Sequence, residues 1–327
     1  MPANLTPEYR KAEEAFREAK TRDEKIAAIE HMMAVIPKHK GTDHLQGDLK
    51  RRLSKLREMD DKVGGKRGDP FRIEREGAGQ AVLLGPPNCG KSSILAALTN
   101  ARPDVAPYPF TTSRPLPGMM DYEDIQIQLI DTSPVTSDHF EQFHSNLARN
   151  GDLSLCVVDL TDSDPVAQFN EIISIFASRK IKFAPERTDE IIEYGVAYKK
   201  ALVLANKYDL DEDDILLNAF REAAKTDLPV IPISATAGDG LEEMRRLVFA
   251  SLNILRVYSK IPGRQPDMDS PFVLPEGSSV MDVARTVHND FAASLKYARI
   301  WGSEKFDGQK VQRDYIVHDK DIIELHI

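Results

Sequence analysis

Cysteine and tryptophan are scarce in this chain, which has two cysteines, Cys89 and Cys156, and one tryptophan among 327 residues. Two cysteines cannot build the dense disulfide framework of a small secreted domain, so they favour a reducing compartment. Long apolar runs are also missing, since no stretch approaches the roughly 18 apolar residues of a membrane span. The first residues, MPANLTPEYRKAEE, lack the apolar segment of a secretory signal. We therefore expect a cytoplasmic protein with no membrane partner.

Charge of both signs is abundant, at 29% of the residues, and the formal net charge is −9. The negative net charge argues against indiscriminate nucleic-acid binding, but it is compatible with a local basic surface. The length is sufficient for two or three domains with a sizeable core. The composition thus indicates an ordinary globular protein, and any partner must be recognised locally.

The pattern along the chain predicts three segments. Residues 1–65 carry two apolar stripes at helical spacing and predict a helical hairpin, which holds seven lysines and arginines against two aspartates between residues 38 and 57. In residues 66–256, apolar runs such as AVLL and LSLCVVDL alternate with helix-length segments, which predicts an α/β domain with a mostly parallel sheet. A stretch rich in proline, glycine and aspartate, SKIPGRQPDMDSP, marks the next boundary. Residues 257–327 then predict a small α+β domain.

The segment GPPNCGKS fits the phosphate-binding loop G-x-x-x-x-G-K-[ST] in full, between an apolar strand and a helix. Its glycines let backbone N–H groups turn inward, and the helix N-terminus adds positive potential. Lys91 would reach the β- and γ-phosphates, and the Ser92 hydroxyl would hold Mg²⁺. The alternative is a glycine turn that merely precedes a helix. The predicted phosphate-binding residues are Gly85, Pro86, Pro87, Asn88, Cys89, Gly90, Lys91, Ser92 and Ser93.

The segment ANKYDL contains N-K-x-D at a strand end, on the edge of the sheet that also carries the phosphate loop. Asp209 could accept hydrogen bonds from the N1–H and the amine of guanine, whereas adenine would leave it unpaired. Asn206 and Lys207 would complete this base site. The tripeptide Ser234, Ala235, Thr236 follows another strand and would offer N–H groups to the guanine carbonyl. A surface turn is the alternative for N-K-x-D, and the tripeptide by itself would indicate nothing.

Four residues are predicted to bind the metal or to act in catalysis. Thr112, or less favourably Thr111, would complete the Mg²⁺ shell together with Ser92. Asp131 ends the strand IQIQLI and would hold the metal through water. We therefore predict Ser92, Thr112 and Asp131 as metal ligands, and Lys91, Thr112 and Asp131 as the catalytic set. Asn88 is a candidate ligand of a potassium ion that would bridge the phosphates, and a loop-stabilising role is the alternative.

The sequence departs from a switch protein directly after Asp131. Asp131, Thr132 and Ser133 are followed by Pro134, where D-x-x-G would place a glycine whose N–H meets the γ-phosphate; proline has no such donor. Val135 then stands where many GTPases carry a water-orienting glutamine. His139 and His144 follow, as candidates for orienting water or, on the alternative interpretation, as solvated helix residues. The pocket is predicted to bind nucleotide, while γ-phosphate sensing by this loop is in question.

Together these residues resemble the Obg-like GTPases, most closely the DRG branch of developmentally regulated GTP-binding proteins. The segments GPPNCGKSSILAALTN, APYPFTTSRPLPGMM and IQLIDTSP resemble that branch's phosphate loop, switch I and switch II. The basic segment KHKGTDHLQGDLKRRLSKLRE is similar to its N-terminal hairpin. The C-terminal stretch from RVYSKIPG through KYARIWG to GQKV looks like a TGS domain, which has a β-grasp fold. The resemblance covers nearly the whole chain from about residue 26.

The resemblance implies that GTP or GDP binds, that hydrolysis is slow and needs no glutamine, and that the protein works on or near the ribosome. Pro134 departs from the family, which keeps glycine there. The chain is also short, because only 75 positions separate Asp131 from Asn206, too few for the insertion that DRG proteins carry. The alternative function is a scaffold whose bound nucleotide is largely structural. The oligomeric state stays open.

Two basic segments support a ribosome or RNA partner. One is the N-terminal hairpin. The other lies between residues 296 and 313, where five lysines and arginines face only Glu304 and Asp307. Trp301 and Phe306 are interleaved with these charges and could stack on bases. A solvated face with a core tryptophan is the alternative.

Overall fold

The computed structural model divides the chain into two compact units, Met1–Arg72 and Ile73–Ile327. The structure describes residues 9, 11, 12, 16, 22–36, 49, 73–101, 114–186, 193, 195–303 and 306–327. Within these residues, no helix combines the length and the apolar character needed to cross a bilayer.

The first unit contains helix α1, Arg22–Val35. Ile29 and Ile36, both members of the predicted apolar stripe, are buried in one cluster together with Met32, Tyr9 and Leu49. The second apolar stripe predicted for residues 1–65 consists of Leu45, Leu49, Leu53, Leu56 and Met59. Leu49 therefore brings the two stripes together at this point. The other residues of the basic segment 38–57 lie outside the described part of the chain.

The second unit begins with a seven-stranded sheet. Its strands are β1 Gln80–Leu84, β2 Leu116–Tyr122, β3 Ile125–Asp131, β4 Leu153–Asp159, β5 Ile181–Ala184, β6 Ala197–Asn206 and β7 Val230–Pro232. The order is β2-β3-β1-β4-β6-β5, with β7 also paired to β6. Only β2 runs antiparallel to its neighbour. The predicted mostly parallel sheet is therefore confirmed.

Helices cover both faces of this sheet. They are α2 Lys91–Leu98, α3 Gln142–Asn150, α4 Pro165–Ser178, α5 Ile215–Ala224 and α6 Leu241–Ser251, and short 3₁₀ turns lie at Tyr208–Leu210 and Glu212–Asp214. Successive residues of β4 point to opposite cores: Val157 packs with α2 and α6, and Val158 packs with α4 and α5. The central strands are apolar throughout because both of their faces are buried. All parallel strands end at one edge, where the motifs lie.

The C-terminal sheet contains β8 Ile254–Ser259, β9 Phe272–Pro275, β10 Tyr297–Trp301, β11 Gln309–Val311 and β12 Asp321–His326. The order is β11-β10-β12-β8-β9, and only the central β8–β12 pair is parallel. Helix α7, Val280–Val287, buries Val280, Val283 and Ala284 in the core of this domain, and α8, Asn289–Ser294, follows. This is the β-grasp arrangement that the family resemblance implied.

The predicted boundary at residue 257 falls inside β8. The proline- and glycine-rich stretch that suggested it lies between β8 and β9, within the C-terminal sheet. Only Leu252 and Asn253 separate α6 from β8, and Asn253 takes a left-handed conformation with φ 51°. The turn between the two domains is thus too short to be recognised by composition.

Candidate nucleotide-binding site

The phosphate loop joins β1 to α2, as predicted, and two of its glycines are required by close contacts. Gly90 precedes α2 with φ 96°, and a Cβ there would lie 2.1 Å from Asn206 Nδ2. A Cβ on Gly85 would lie 2.6 Å from the carbonyl oxygen of Val157. The loop therefore packs tightly against its neighbours, and no side chain caps the N-terminus of α2, which could accept a phosphate.

Lys91 is almost fully buried at the start of α2. Its Nζ donates hydrogen bonds to the carbonyl oxygens of Gly85 and Pro86, each at 2.9 Å. These contacts hold the ammonium group inside the loop, where phosphate oxygens can replace the carbonyls. Cys89 is also buried, and burial raises the pKa of its thiol, which is typical of a small residue that fills space inside a loop. Asn88 is exposed, with φ 61°.

Ser92 and Asp131, both predicted metal ligands, are in direct contact. The Ser92 hydroxyl donates to Asp131 Oδ2 at 2.5 Å, while Asp131 Oδ1 is buried and has no hydrogen-bond partner. Burial raises the pKa of Asp131 against the opposing effects of Ser92 and Lys91. A cation at the unpaired oxygen would favour the ionised carboxylate, so the pair fits Mg²⁺, which takes its other ligands from phosphates and water. Thr111 and Thr112 lie outside the described residues.

Asn206 connects the phosphate loop to the predicted base-binding loop. Its Nδ2 donates to the Cys89 carbonyl at 2.8 Å, and its Oδ1 accepts from the Ala235 N–H at 3.2 Å. Ser234 is buried and Ala235 and Thr236 lie at the same edge of the sheet, after β7. N-K-x-D and the SAT tripeptide are thereby brought together, as the strand-end argument predicts.

Lys207 takes a left-handed conformation, φ 64°, and its Nζ pairs with Asp159 at the end of β4. Asp209 is exposed in the 3₁₀ turn that follows, open to the position of a base. Sequence reasoning missed Asp159. Its signal was available, because Asp159 ends an apolar strand just as Asp131 and Asn206 do.

The loop after Asp131 is held at three points. Thr132 Oγ1 donates to the Leu83 carbonyl at 2.7 Å, and Ser133 Oγ lies 3.0 Å from His144 Nε2. The N–H of Val135 donates to the Gly85 carbonyl at 2.9 Å, and its side chain is fully buried. The residue after Pro134 therefore uses its N–H within the protein and presents no side chain to water.

His144 is fully buried, so the alternative of a solvated helix residue is wrong for it. Its Nδ1 accepts the N–H of Glu141 at 3.0 Å, which places the proton on Nε2, directed at Ser133. Burial lowers the pKa of His144, so the imidazole is neutral at physiological pH. Both ring nitrogens are engaged in holding the loop, which leaves none to orient water. His139 is exposed.

The sheet, the phosphate loop and the base-binding edge define a P-loop GTP-binding protein. Residues 80–207 match the family of 50S ribosome-binding GTPases, and residues 255–327 match the TGS domain. The resemblance to the DRG branch is confirmed, because the chain combines these two domains and is similar to proteins named developmentally regulated GTP-binding proteins.

Relatives resemble the chain over nearly its whole length. An uncharacterized GTP-binding protein of Methanocaldococcus jannaschii is 27% identical and is covered over 93% of each chain. The developmentally-regulated GTP-binding protein 2 homolog of Dictyostelium discoideum is 26% identical over 92% of this chain and 98% of its own. A solved GTP-binding protein from Pyrococcus horikoshii matches 76% of this chain and 99% of its own, with TM-score 0.52 and 18% identity, which supports the fold alone.

Proposed function

We propose that this protein is a slow GTPase that uses GTP hydrolysis to time its action on the ribosome or on another structured RNA. The observation that carries the proposal is the buried Ser92–Asp131 pair with its unpaired carboxylate oxygen, placed beside the phosphate loop. Ser92, Thr112 and Asp131 would hold Mg²⁺, which supplies charge to the phosphates. The protein's own contribution is to orient the nucleotide through Lys91, Asn206 and Asp209.

The arrangement after Asp131 supports a low rate. Pro134 has no N–H, the N–H of Val135 is bound to Gly85, and His144 is held by Ser133 and Glu141. None of these three residues therefore offers a free donor or base to the attacking water. We propose that a potassium ion bound with the help of Asn88 supplies positive charge to the phosphates instead.

Replacing Pro134 by glycine is expected to raise the single-turnover rate of GTP hydrolysis. The substitution returns one N–H donor, and a hydrogen bond to a charged group is worth about 1.5–3 kcal/mol, or roughly ten- to a hundredfold in rate. Single-turnover hydrolysis is measured in potassium and in sodium buffer for wild type, Pro134→Gly and Asn88→Ala. Wild type is expected to be faster in potassium, and Asn88→Ala is expected to lose that difference.

Pro262→Gly is the control, because Pro262 lies in an exposed loop of the TGS domain. A wild type that binds GTP and hydrolyses none would refute the timer and leave a scaffold with structural nucleotide. Equal rates for wild type and Pro134→Gly would show that the missing donor does not limit hydrolysis.

We place the RNA contact on the basic hairpin and on the TGS sheet. On that sheet Arg299 of β10 pairs in register with Lys310 of β11, so two cations lie side by side. Lys310 Nζ lies 4.0 Å from the centre of the Tyr297 ring, and Lys260 Nζ lies 4.0 Å from that of Trp301. Because lysines already cover both rings, we propose that this sheet binds RNA through phosphate contacts rather than through base stacking. Both cysteines are buried and free, which supports a cytoplasmic location.

RNA binding is expected to weaken steeply with salt, because each neutralised phosphate releases a counterion. In Arg299→Ala/Lys310→Ala the slope of log K against log salt should shrink by about 1.4, at roughly 0.7 per single-stranded phosphate contact. The control Lys225→Ala/Arg246→Ala removes two exposed cations from the G domain. Binding is measured by fluorescence anisotropy with a ribosomal RNA fragment. An affinity independent of salt would refute the electrostatic contact.

A further inference from the structure

Arg256 of β8 is a buried cation that the nucleotide site does not contact. Its side chain is 2% exposed, yet it lies among three carboxylates. Nη1 is 2.6 Å from Glu123 Oε2 and 2.7 Å from Asp124 Oδ1. Nε and Nη2 are 3.0 Å and 2.7 Å from the two oxygens of Asp319. The guanidinium also lies 4.8 Å from the ring centre of Phe249, at the end of α6.

Glu123 and Asp124 form the turn between β2 and β3 of the G domain, whereas Arg256 and Asp319 belong to the TGS domain. Two more TGS side chains hold the same turn. The Tyr258 hydroxyl donates to Asp124, and Lys320 Nζ lies 2.9 Å from Glu123. We call these four TGS residues and the two turn carboxylates the hairpin clamp. It is a contact between the two domains through the tip of one hairpin.

The clamp pairs two cations with three carboxylates. Hydrogen bonds from Lys320 and Arg256 hold the pKa of Glu123 below its usual range. Burial raises the pKa of Asp124, but the hydrogen bonds from Tyr258 and Arg256 outweigh it and the net shift is downward. Both carboxylates are therefore ionised at neutral pH. Separation of the turn from the TGS domain would leave the buried Arg256 with Asp319 alone and would remove two of its three carboxylate partners, so we expect the turn and the TGS domain to move together.

The clamped hairpin leads directly to the metal site. β2 and β3 pair along their whole length, from Tyr122 opposite Ile125 at the turn to Leu116 opposite Asp131 at the other end. Asp131 is the predicted metal ligand, and Leu116 follows closely on the segment that contains Thr111 and Thr112. The turn is thus connected by two hydrogen-bonded strands to Asp131.

We propose that Arg256 and Tyr258 are positioning residues of the nucleotide site, which act through the β2–β3 hairpin on Asp131. The TGS domain thereby becomes part of the response to the γ-phosphate and its metal. Coupling between two binding sites is reciprocal. If a partner that binds the TGS domain changes the ratio of the affinities for GTP and GDP, the exchange of GDP for GTP changes the affinity for that partner by the same factor. The inference rests on the proposed function for the identity of the nucleotide, and its main readout is binding rather than turnover.

Tyr258→Phe tests the clamp with a minimal change, because it removes one hydroxyl and keeps the ring. The ratio of the affinities for a non-hydrolysable GTP analogue and for GDP is measured with Mg²⁺ for wild type and variant. We expect this ratio to fall by about three- to tenfold, at the lower end of common coupling factors. Hydrogen exchange of residues 116–131 in the analogue-bound state should rise in parallel. Tyr297→Phe, a tyrosine of the same domain that stacks on His326, is the control.

A merely structural role would lower the unfolding temperature and leave the affinity ratio unchanged. Asp124→Asn serves as a second variant, and because both changes act on one contact the double variant Tyr258→Phe/Asp124→Asn should show less than the summed effect. An unchanged ratio in all three variants, with increased hydrogen exchange at the turn, would overturn the proposal. A wild type that binds GTP without hydrolysing it would refute the timer alone, since the affinity ratio is still measured.

Discussion

Replacing Gly90 by alanine is expected to weaken GTP binding by about a hundredfold or more. At φ 96° a non-glycine residue is strained by roughly 1–3 kcal/mol. The added Cβ would also meet Asn206 Nδ2 at 2.1 Å, so Asn206 must give up its bond to the Cys89 carbonyl. Loss of a buried hydrogen bond costs about 1–3 kcal/mol more. Every 1.4 kcal/mol is tenfold in affinity.

Gly238→Ala separates the two causes. Gly238 has a similar φ of 90°, but nothing lies within 4 Å of a Cβ built there. Its substitution brings backbone strain without the clash at Asn206. Dissociation constants are measured by titration with a fluorescent GTP analogue, and unfolding temperatures show whether each variant remains folded. If Gly90→Ala and Gly238→Ala bind GTP equally well, the contact between Asn206 and the phosphate loop does not organise the site.

The motifs could be predicted because each one is local. The phosphate loop, Asp131 and N-K-x-D each follow an apolar strand, and parallel strands end at one edge of the sheet. A few consecutive positions are sufficient to recognise both the residue types and the strand–loop–helix context of each motif. The same logic could have found Asp159, which pairs with Lys207 from the end of β4.

The contacts that hold the site in place could not be predicted in this way. Arg256 meets Glu123 across 133 positions of the chain, and no periodicity or motif marks such a pair. The sequence indicates His144 only as a histidine close to the site. Its burial against Ser133 depends on how α3 packs. The effect of Pro134 was predictable as a missing donor. The hydrogen bond from the Val135 N–H to the Gly85 carbonyl depends on the tertiary structure. It fixes the loop in place in addition to the loss of the donor at Pro134.

Asparagine at position 209 is expected to reverse the choice of base. Asp209 is exposed after β6, where its two oxygens can accept from the N1–H and the amine of guanine. An asparagine replaces one acceptor by an N–H group, which leaves one guanine donor facing another donor. Loss of a charged hydrogen bond and the added repulsion predict a fall in GTP affinity of roughly 100- to 1000-fold.

Xanthosine triphosphate carries a carbonyl where guanine carries its amine, so the same N–H group can donate to it. The affinity of Asp209→Asn for this nucleotide should therefore rise while that for GTP falls, as measured by competition against one labelled nucleotide. Asp227→Asn is the control, since Asp227 precedes β7 and lies toward the opposite edge of the parallel sheet. A preference for GTP that survives Asp209→Asn would mean that Asp209 does not contact the base. Lys207 and the SAT loop would then select the base. Asn206 would still connect the SAT loop to the phosphate loop.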